Sequence, residues 1–155
     1  MKEINFTHAS NRSIIDGTKT QTRRVIPNSI LGNADLDKLD HSYLYVEDGY
    51  GDHHHVKDLC RWGSPGDDIL VRVPGGQGRL LLTIKNIRVE RLHDISESDA
   101  EAEGVDFLRG ISGADETLSA VHLFEFLWDS IYPAGRKARR YNPYVWVIEF
   151  EKKRR

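Results

Sequence analysis

The run Tyr144 to Lys152 constrains this chain most, because Tyr144, Trp146, Ile148 and Phe150 alternate there with Val145, Val147 and Glu149. A period of two marks a β-strand, and both faces of this one read as largely buried. Other strands fall around Ile4 to Thr7, at Ile69 to Val73 and over Arg79 to Leu92, with a possible hairpin arm at Ser42 to Glu47. In the long one the alternation slips near Lys85-Asn86, which predicts a bulge or bend. Between the strands lie helical patterns. One covers about Ala9 to Asp16, with Ser10 as a candidate N-cap and Gly17 as its stop. A second opens on Ser96-Glu97-Ser98-Asp99, which resembles a capping box, runs to Glu103 and ends at Gly104. A third, about Thr117 to Tyr132, places Leu118, Val121, Phe124, Leu127, Trp128 and Ile131 at helical spacing before Pro133. Strands at the beginning, middle and end with helices between them predict an α+β fold, a mixed sheet or small barrel.

At 155 residues, 39% apolar and 30% charged, the chain suits one domain over residues 1–155, with 27–65 as a variable, loop-rich stretch. The lone Cys60 excludes an internal disulfide. No apolar run approaches the roughly 18–20 residues that cross a bilayer. Nothing in Met1 to Asp40 resembles a secretory leader, so a cytoplasmic protein without a membrane role is expected, with a monomer favoured. His53-His54-His55 and Cys60 do not complete a tetrahedral set, since consecutive side chains point in different directions; no metal and no cofactor are expected. Tyr43, Tyr45, Tyr50 and Trp62 suit either stacking on a base or a small core beneath the loops.

The net charge of −2 conceals blocks that alternate in sign, basic at 1–30, 71–95 and 131–155 and acidic between. Brought together, the basic blocks would form one face for phosphates; kept apart, they are solvated surface. The first contains Gly17-Thr18-Lys19-Thr20-Gln21-Thr22-Arg23-Arg24, hydroxyls and amides interleaved with long cations. It suits a half-exposed strand or loop, and either a ligand site or a sheet edge blunted by charge. Arg136, Lys137, Arg139 and Arg140 form a second basic cluster suited to phosphate contacts, and Lys152-Lys153-Arg154-Arg155 a terminal one.

Five motifs in order resemble the ASCH domain family, in the form common in bacteriophages and prophages. They are the segment from Ile15 to Arg24, Gly66-Asp67-Asp68-Ile69-Leu70-Val71-Arg72, Val89 to Ser96, Ala102-Glu103-Gly104, and Leu127 to Tyr132 continuing through Asn142 to Val147. The resemblance implies a PUA-like fold, a small mixed β-barrel with flanking helices, associated with RNA binding and nucleic-acid modification. One branch of the family hydrolyses the acetyl amide of N4-acetylcytidine, which carries a nucleophile role onto Thr22, a base or oxyanion-stabilising role onto Lys19, and an orienting or proton-shuttling role onto Glu103. The chain departs from the family after Gly66-Asp67, where Leu70 and Val73 stand in place of the usual Trp and Glu. The expected partner is RNA or a modified nucleoside, with DNA also possible, in a cleft lined by Lys19, Thr22, Arg23, Arg24 and Arg72. The alternatives are an amidohydrolase, a ribonuclease on single-stranded RNA, and a phage accessory protein binding a host protein.

Overall fold

The computed structural model describes residues 1–32, 34–36, 41–76, 80–110 and 118–153. Thr117, Gln77 to Arg79, Arg154 and Arg155, on which some of the expectations above fall, lie outside them. Five strands form one mixed sheet: β1 (Lys2–Asn5), β2 (Gln21–Val25), β5 (Asp68–Arg72), β6 (Leu81–Arg91) and β7 (Tyr144–Lys152), in the order β1-β5-β6-β7-β2. Strands β1 and β5 are parallel and the remaining pairs antiparallel. A two-stranded ribbon joins β3 (Tyr45–Glu47) to β4 (His53–His55). The helices are α1 (His8–Asp16), α2 (Asn28–Leu31), α3 (Glu97–Ala102) and α4 (Ala120–Ile131), with short 3₁₀ turns between elements. Among the described residues no helix is long and apolar enough to cross a membrane.

Strand β7 is buried on both faces, as its alternation predicts. Tyr144, Trp146, Ile148 and Phe150 enter one apolar cluster, with Ile4, Ile69, Leu82 and Ile87, while Val145 and Val147 enter another, with Leu123, Phe124 and Trp128 of α4. The register between β6 and β7 shifts between Ile84 and Asn86. That extra residue keeps Leu82 and Ile84 on the same face as Ile87 and Val89 although their numbering changes parity. The loop-rich stretch closes the first cluster: Leu44, Val56 and Cys60 are buried in it, and Trp146 Nε1 donates to the Val56 carbonyl at 2.8 Å. Trp62 packs edge-on against Trp146.

The α+β class is as expected, but the barrel is not. Among the described residues the sheet is open, with β1 and β2 as its two edges. They approach each other without a backbone ladder, and the Arg24 guanidinium of β2 spans the gap to donate to the Asn5 carbonyl of β1 at 2.8 Å. A side chain therefore stands where a fifth pairing would close the barrel, which leaves a cavity at the seam.

Helix starts follow the capping chemistry, at Ser96 where expected and elsewhere displaced by a residue or more. Thr7, not Ser10, caps α1 by accepting from Ser10 N; Ser96 caps α3; and Ser119 caps α4. Glu97 on the first turn of α3 also accepts from the N–H groups of Ala120 at 2.8 Å and Val121 at 2.9 Å, which binds α3 to the positive end of α4. Those backbone bonds, Val121 first, hold the Glu97 carboxyl below its ordinary pKa. A depressed carboxyl stabilises the fold above its unfolded pKa and loses that contribution as pH falls through the folded value. Glu97→Gln is thus expected to lower the Tm at neutral pH and to flatten the acid side of the Tm–pH curve, and a curve unchanged in shape would remove Glu97 from this role.

Candidate functional site

Gly17, the C-cap of α1, adopts the left-handed conformation at φ +87° and turns the chain toward the sheet edge. Lys19 and Thr20 then precede β2. Lys19 N donates to the Ser13 carbonyl of α1, Thr20 N to the Ala102 carbonyl of α3, and Phe150 N of β7 to the Thr20 carbonyl. Lys19 also makes an isolated bridge with Glu103. The backbone therefore turns between Lys19 and Thr22, and both side chains reach one cavity although they stand three positions apart.

Beyond the turn the regular strand sends alternate side chains to opposite faces. Gln21 and Arg23 point toward α3; Thr22 and Arg24 point toward β1 and the cavity. Lys19, Thr22 and Glu103 are 5%, 4% and 5% exposed, a degree of burial rare for charged groups. Lys19 Nζ donates to the Glu103 carbonyl at 2.9 Å and to its Oε2 at 3.2 Å. The other carboxylate oxygen, Oε1, accepts from Arg23 Nη1 at 2.9 Å. Arg23 continues inward to Glu90, Gln21 and Asp99, and Arg88 joins the same acids from β6. Glu103 is thus held at both oxygens by buried cations.

Gly104 makes this placement possible. Its φ of +80° suits glycine, and a Cβ there would lie 2.6 Å from Lys19 Cβ and 3.0 Å from Ser13 Cβ. The Ala102-Glu103-Gly104 sequence therefore presses the end of α3 against the turn that carries Lys19.

The cavity at the seam has a volume of about 860 Å³. Its polar wall is Lys19, Thr22, Arg23, Arg24 and Glu103; its rim is Glu3, Arg72, Val73 and Pro74; its apolar wall is Phe6 together with Phe124, Leu127, Trp128 and Ile131 of α4 and Tyr132 at the end of that helix. The size lies within the roughly 300–1,000 Å³ of small-molecule sites, and a mainly aromatic wall facing a few polar groups is their usual composition. Burial pushes the Lys19 pKa down; the Glu103 charge opposes that shift, and Arg24 and Arg23 reinforce it. Burial also lowers the Arg24 pKa. Arg24 lies over the rings of Phe6, at 4.9 Å, and Trp62, at 5.6 Å, and its Nε donates to Thr22 Oγ1 at 3.3 Å.

The cations expected to contact nucleic acid divide into four sets. Arg24 lines the cavity. Arg23, expected among them, has a side chain wholly removed from solvent and ringed by carboxylates, so its charge is spent inside the fold. Arg72 pairs with Glu3 at the rim, and Arg139 pairs with Asp129 and Glu125 of α4. Arg136, Lys137 and Arg140 are exposed; Lys137 Nζ lies 5.3 Å from the Tyr132 ring centroid at the cavity edge, and Arg140 stacks on Tyr141. Among the described residues no group of three His, Cys, Asp or Glu side chains is placed to hold a metal. His53, His54 and His55 are exposed along β4, where His54 Nε2 lies 2.8 Å from Asp48 Oδ2.

The sequence reading missed the walls of the cavity. Phe124 and Trp128 were expected as core, and both are buried, yet they also line the cavity with Tyr132. Their i, i+4, i+8 spacing puts all three on one face of α4, the signal that was available. Phe6, at the end of β1, carried none.

Fold and cavity together describe a small α+β protein with a half-open, partly charged cavity at an open sheet seam. No family model matches the sequence, and no curated protein matches it. Among solved structures, the chain is similar to protein EF3133 from Enterococcus faecalis V583, described under the family model DUF984, at 12% identity and a TM-score of 0.53, over 98% of this chain and 80% of that one. It is also similar to an ASCH domain from Lactobacillus crispatus JV V101, at 11% identity and a TM-score of 0.44, over 92% of this chain and 69% of that one. At 12% identity the likeness to EF3133 is one of fold.

Proposed function

We propose that the chain binds a modified nucleoside in the seam cavity and hydrolyses its acyl amide, with a substrate of the N4-acetylcytidine type. The observation that carries this reading is the buried Lys19, held by Glu103 in the wall that also presents Thr22. An amide hydrolase needs a nucleophile, a base and a group that fixes the base. In the attack, Thr22 Oγ bonds to the acyl carbon, the carbonyl electron pair moves onto oxygen, and the hydroxyl proton passes to neutral Lys19 Nζ. Collapse breaks the C–N bond, and the cytidine N4 takes that proton from Lys19. Water, deprotonated in turn by Lys19, attacks the acyl carbon; the C–O bond to Thr22 breaks, Thr22 Oγ takes that proton back from Lys19, and the released acid ionises to a carboxylate. Glu103 orients Lys19, while Arg23 holds Glu103 from the other side. The aromatic face of α4 offers the base a stacking surface.

Incubation of the protein with N4-acetylcytidine tests this reading by chromatography of the products. Cytidine and acetate should appear, and the rate should rise with pH through a midpoint below the ordinary lysine value, because the base works only once Lys19 has lost its proton and burial moves that loss downward. Absence of cytidine at every pH, or a rate that falls with rising pH, would count against it. A second reading, capture of the end of a single-stranded RNA, is favoured by the exposed Lys137 beside Tyr132 and by Arg136 and Arg140. That reading requires an affinity that drops steeply with salt, and a flat salt response would rule it out.

A further inference from the structure

We propose that Arg24 is a further catalytic residue of this site, one that stabilises the negative charge developing on Thr22 Oγ1 and on the adjoining carbonyl oxygen during attack; this rests on the hydrolytic reading above. The cations around the cavity are otherwise matched: Lys19 with Glu103, Arg23 with Glu90, Asp99 and Glu103, and Arg72 with Glu3. Among the described residues Arg24 has no carboxylate within ion-pairing distance. Its Nη2 donates to the Asn5 carbonyl and its Nε to Thr22 Oγ1, both neutral acceptors, and Phe6 and Trp62 hold the guanidinium plane. Its lowered pKa fits a charge that the surroundings do not fully offset.

A half-buried cation that Glu103 offsets only from beyond ion-pairing distance is costly at rest. Here the nearest reacting atom, Thr22 Oγ1, gains negative charge as its proton passes to Lys19, before bonding to the acyl carbon moves that charge onto the carbonyl oxygen, and again when it leaves the acyl group. The Nε to Oγ1 distance of 3.3 Å is long for a hydrogen bond between a cation and a charged oxygen, which settles near 2.7–2.9 Å. The bond therefore has room to tighten as Oγ1 gains charge. Because the acceptor at rest is neutral, the interaction is stronger in the transition state than in the ground state, which is the requirement for raising kcat rather than lowering KM. The same bond occupies an Oγ1 lone pair and leaves the hydroxyl proton free to point toward a base. Thr22 and Arg24 share a strand face two residues apart, so the β2 backbone fixes their separation.

Steady-state kinetics of Arg24→Gln and Arg24→Lys with N4-acetylcytidine test the assignment. Arg24→Gln should lower kcat by about 10²–10³-fold, the usual effect of removing one donor to a developing oxyanion. KM and the affinity for the product cytidine should stay within about threefold of wild type, since the ground state loses only a contact to a neutral hydroxyl. Arg24→Lys should recover at least about tenfold of the lost kcat, as a retained cation would. Unchanged kcat in Arg24→Gln, or a loss confined to KM, overturns the proposal and leaves the hydrolytic reading standing. Equal loss in both variants with cytidine affinity also lost assigns Arg24 to the fold and overturns it as well. An inactive wild type overturns both.

Discussion

Glu103→Gln is expected to damage the protein twice, costing about 3–5 kcal/mol of stability and lowering turnover of the protein that remains folded by about 10²–10⁴-fold. The first loss arises because the carboxylate is the shared partner of Lys19 and Arg23 in a buried setting. Its removal leaves Lys19 Nζ with the Glu103 carbonyl as its acceptor and without a nearby negative charge. Arg23 suffers less, because Glu90 and Asp99 also surround it. The second loss arises because an amide in place of the carboxylate no longer draws Lys19 to a fixed position by charge. Lys19→Met in the same background separates the two effects. It removes the stranded cation, so the double variant should be more stable than Glu103→Gln alone while remaining inactive. Denaturant unfolding of the two single variants and the double reads this as a coupling energy. Additive stabilities would mean that Lys19 and Glu103 do not interact in solution.

Gly104→Ala is expected to cost about 2–5 kcal/mol, made of roughly 1–2 kcal/mol for placing a side chain at positive φ and 1–3 kcal/mol for the clash with Lys19 and Ser13. Gly17 provides the comparison, because its φ is also positive, at +87°, while an added Cβ there meets nothing within 4 Å. Gly17→Ala should therefore show only the smaller conformational cost and keep the site intact. Gly104→Ala should also impair turnover, since the neighbour that must shift is the Lys19 backbone and Cβ. Equal destabilisation of the two variants would show that the close approach of α3 to the Lys19 turn is not tight in solution.

The parts of the fold legible in the sequence are those where one residue type has one physical solution. The doubly apolar β7, the bulge after Ile84, Ser96 at the start of α3 and Gly17 at the end of α1 all belong to that class. The open seam was not legible. Whether β1 and β2 pair is decided by what lies between their edges, and there the Arg24 side chain reaches the Asn5 carbonyl where a ladder would otherwise run. The cations of the first motif were legible as a group but not as individuals. Strand alternation sends Arg23 inward to acids contributed by β6 and α3, whereas Arg24, the next residue, faces the cavity. Those acids lie some 67 to 80 residues further along the chain, beyond the reach of any local pattern. Glu103 was legible through the resemblance of its motif, and the geometry sets it beside Lys19 in a concave site.

The most direct measurement is the turnover of N4-acetylcytidine by Thr22→Ser and Thr22→Val beside the wild type. Serine keeps the hydroxyl at the same strand position, and valine keeps the shape of threonine without it. The proposed mechanism predicts cytidine release by wild type and Thr22→Ser, and none above background by Thr22→Val. Sustained release by Thr22→Val would show that Thr22 Oγ is not the nucleophile and would contradict the chemistry assigned to Lys19 and Glu103 around it.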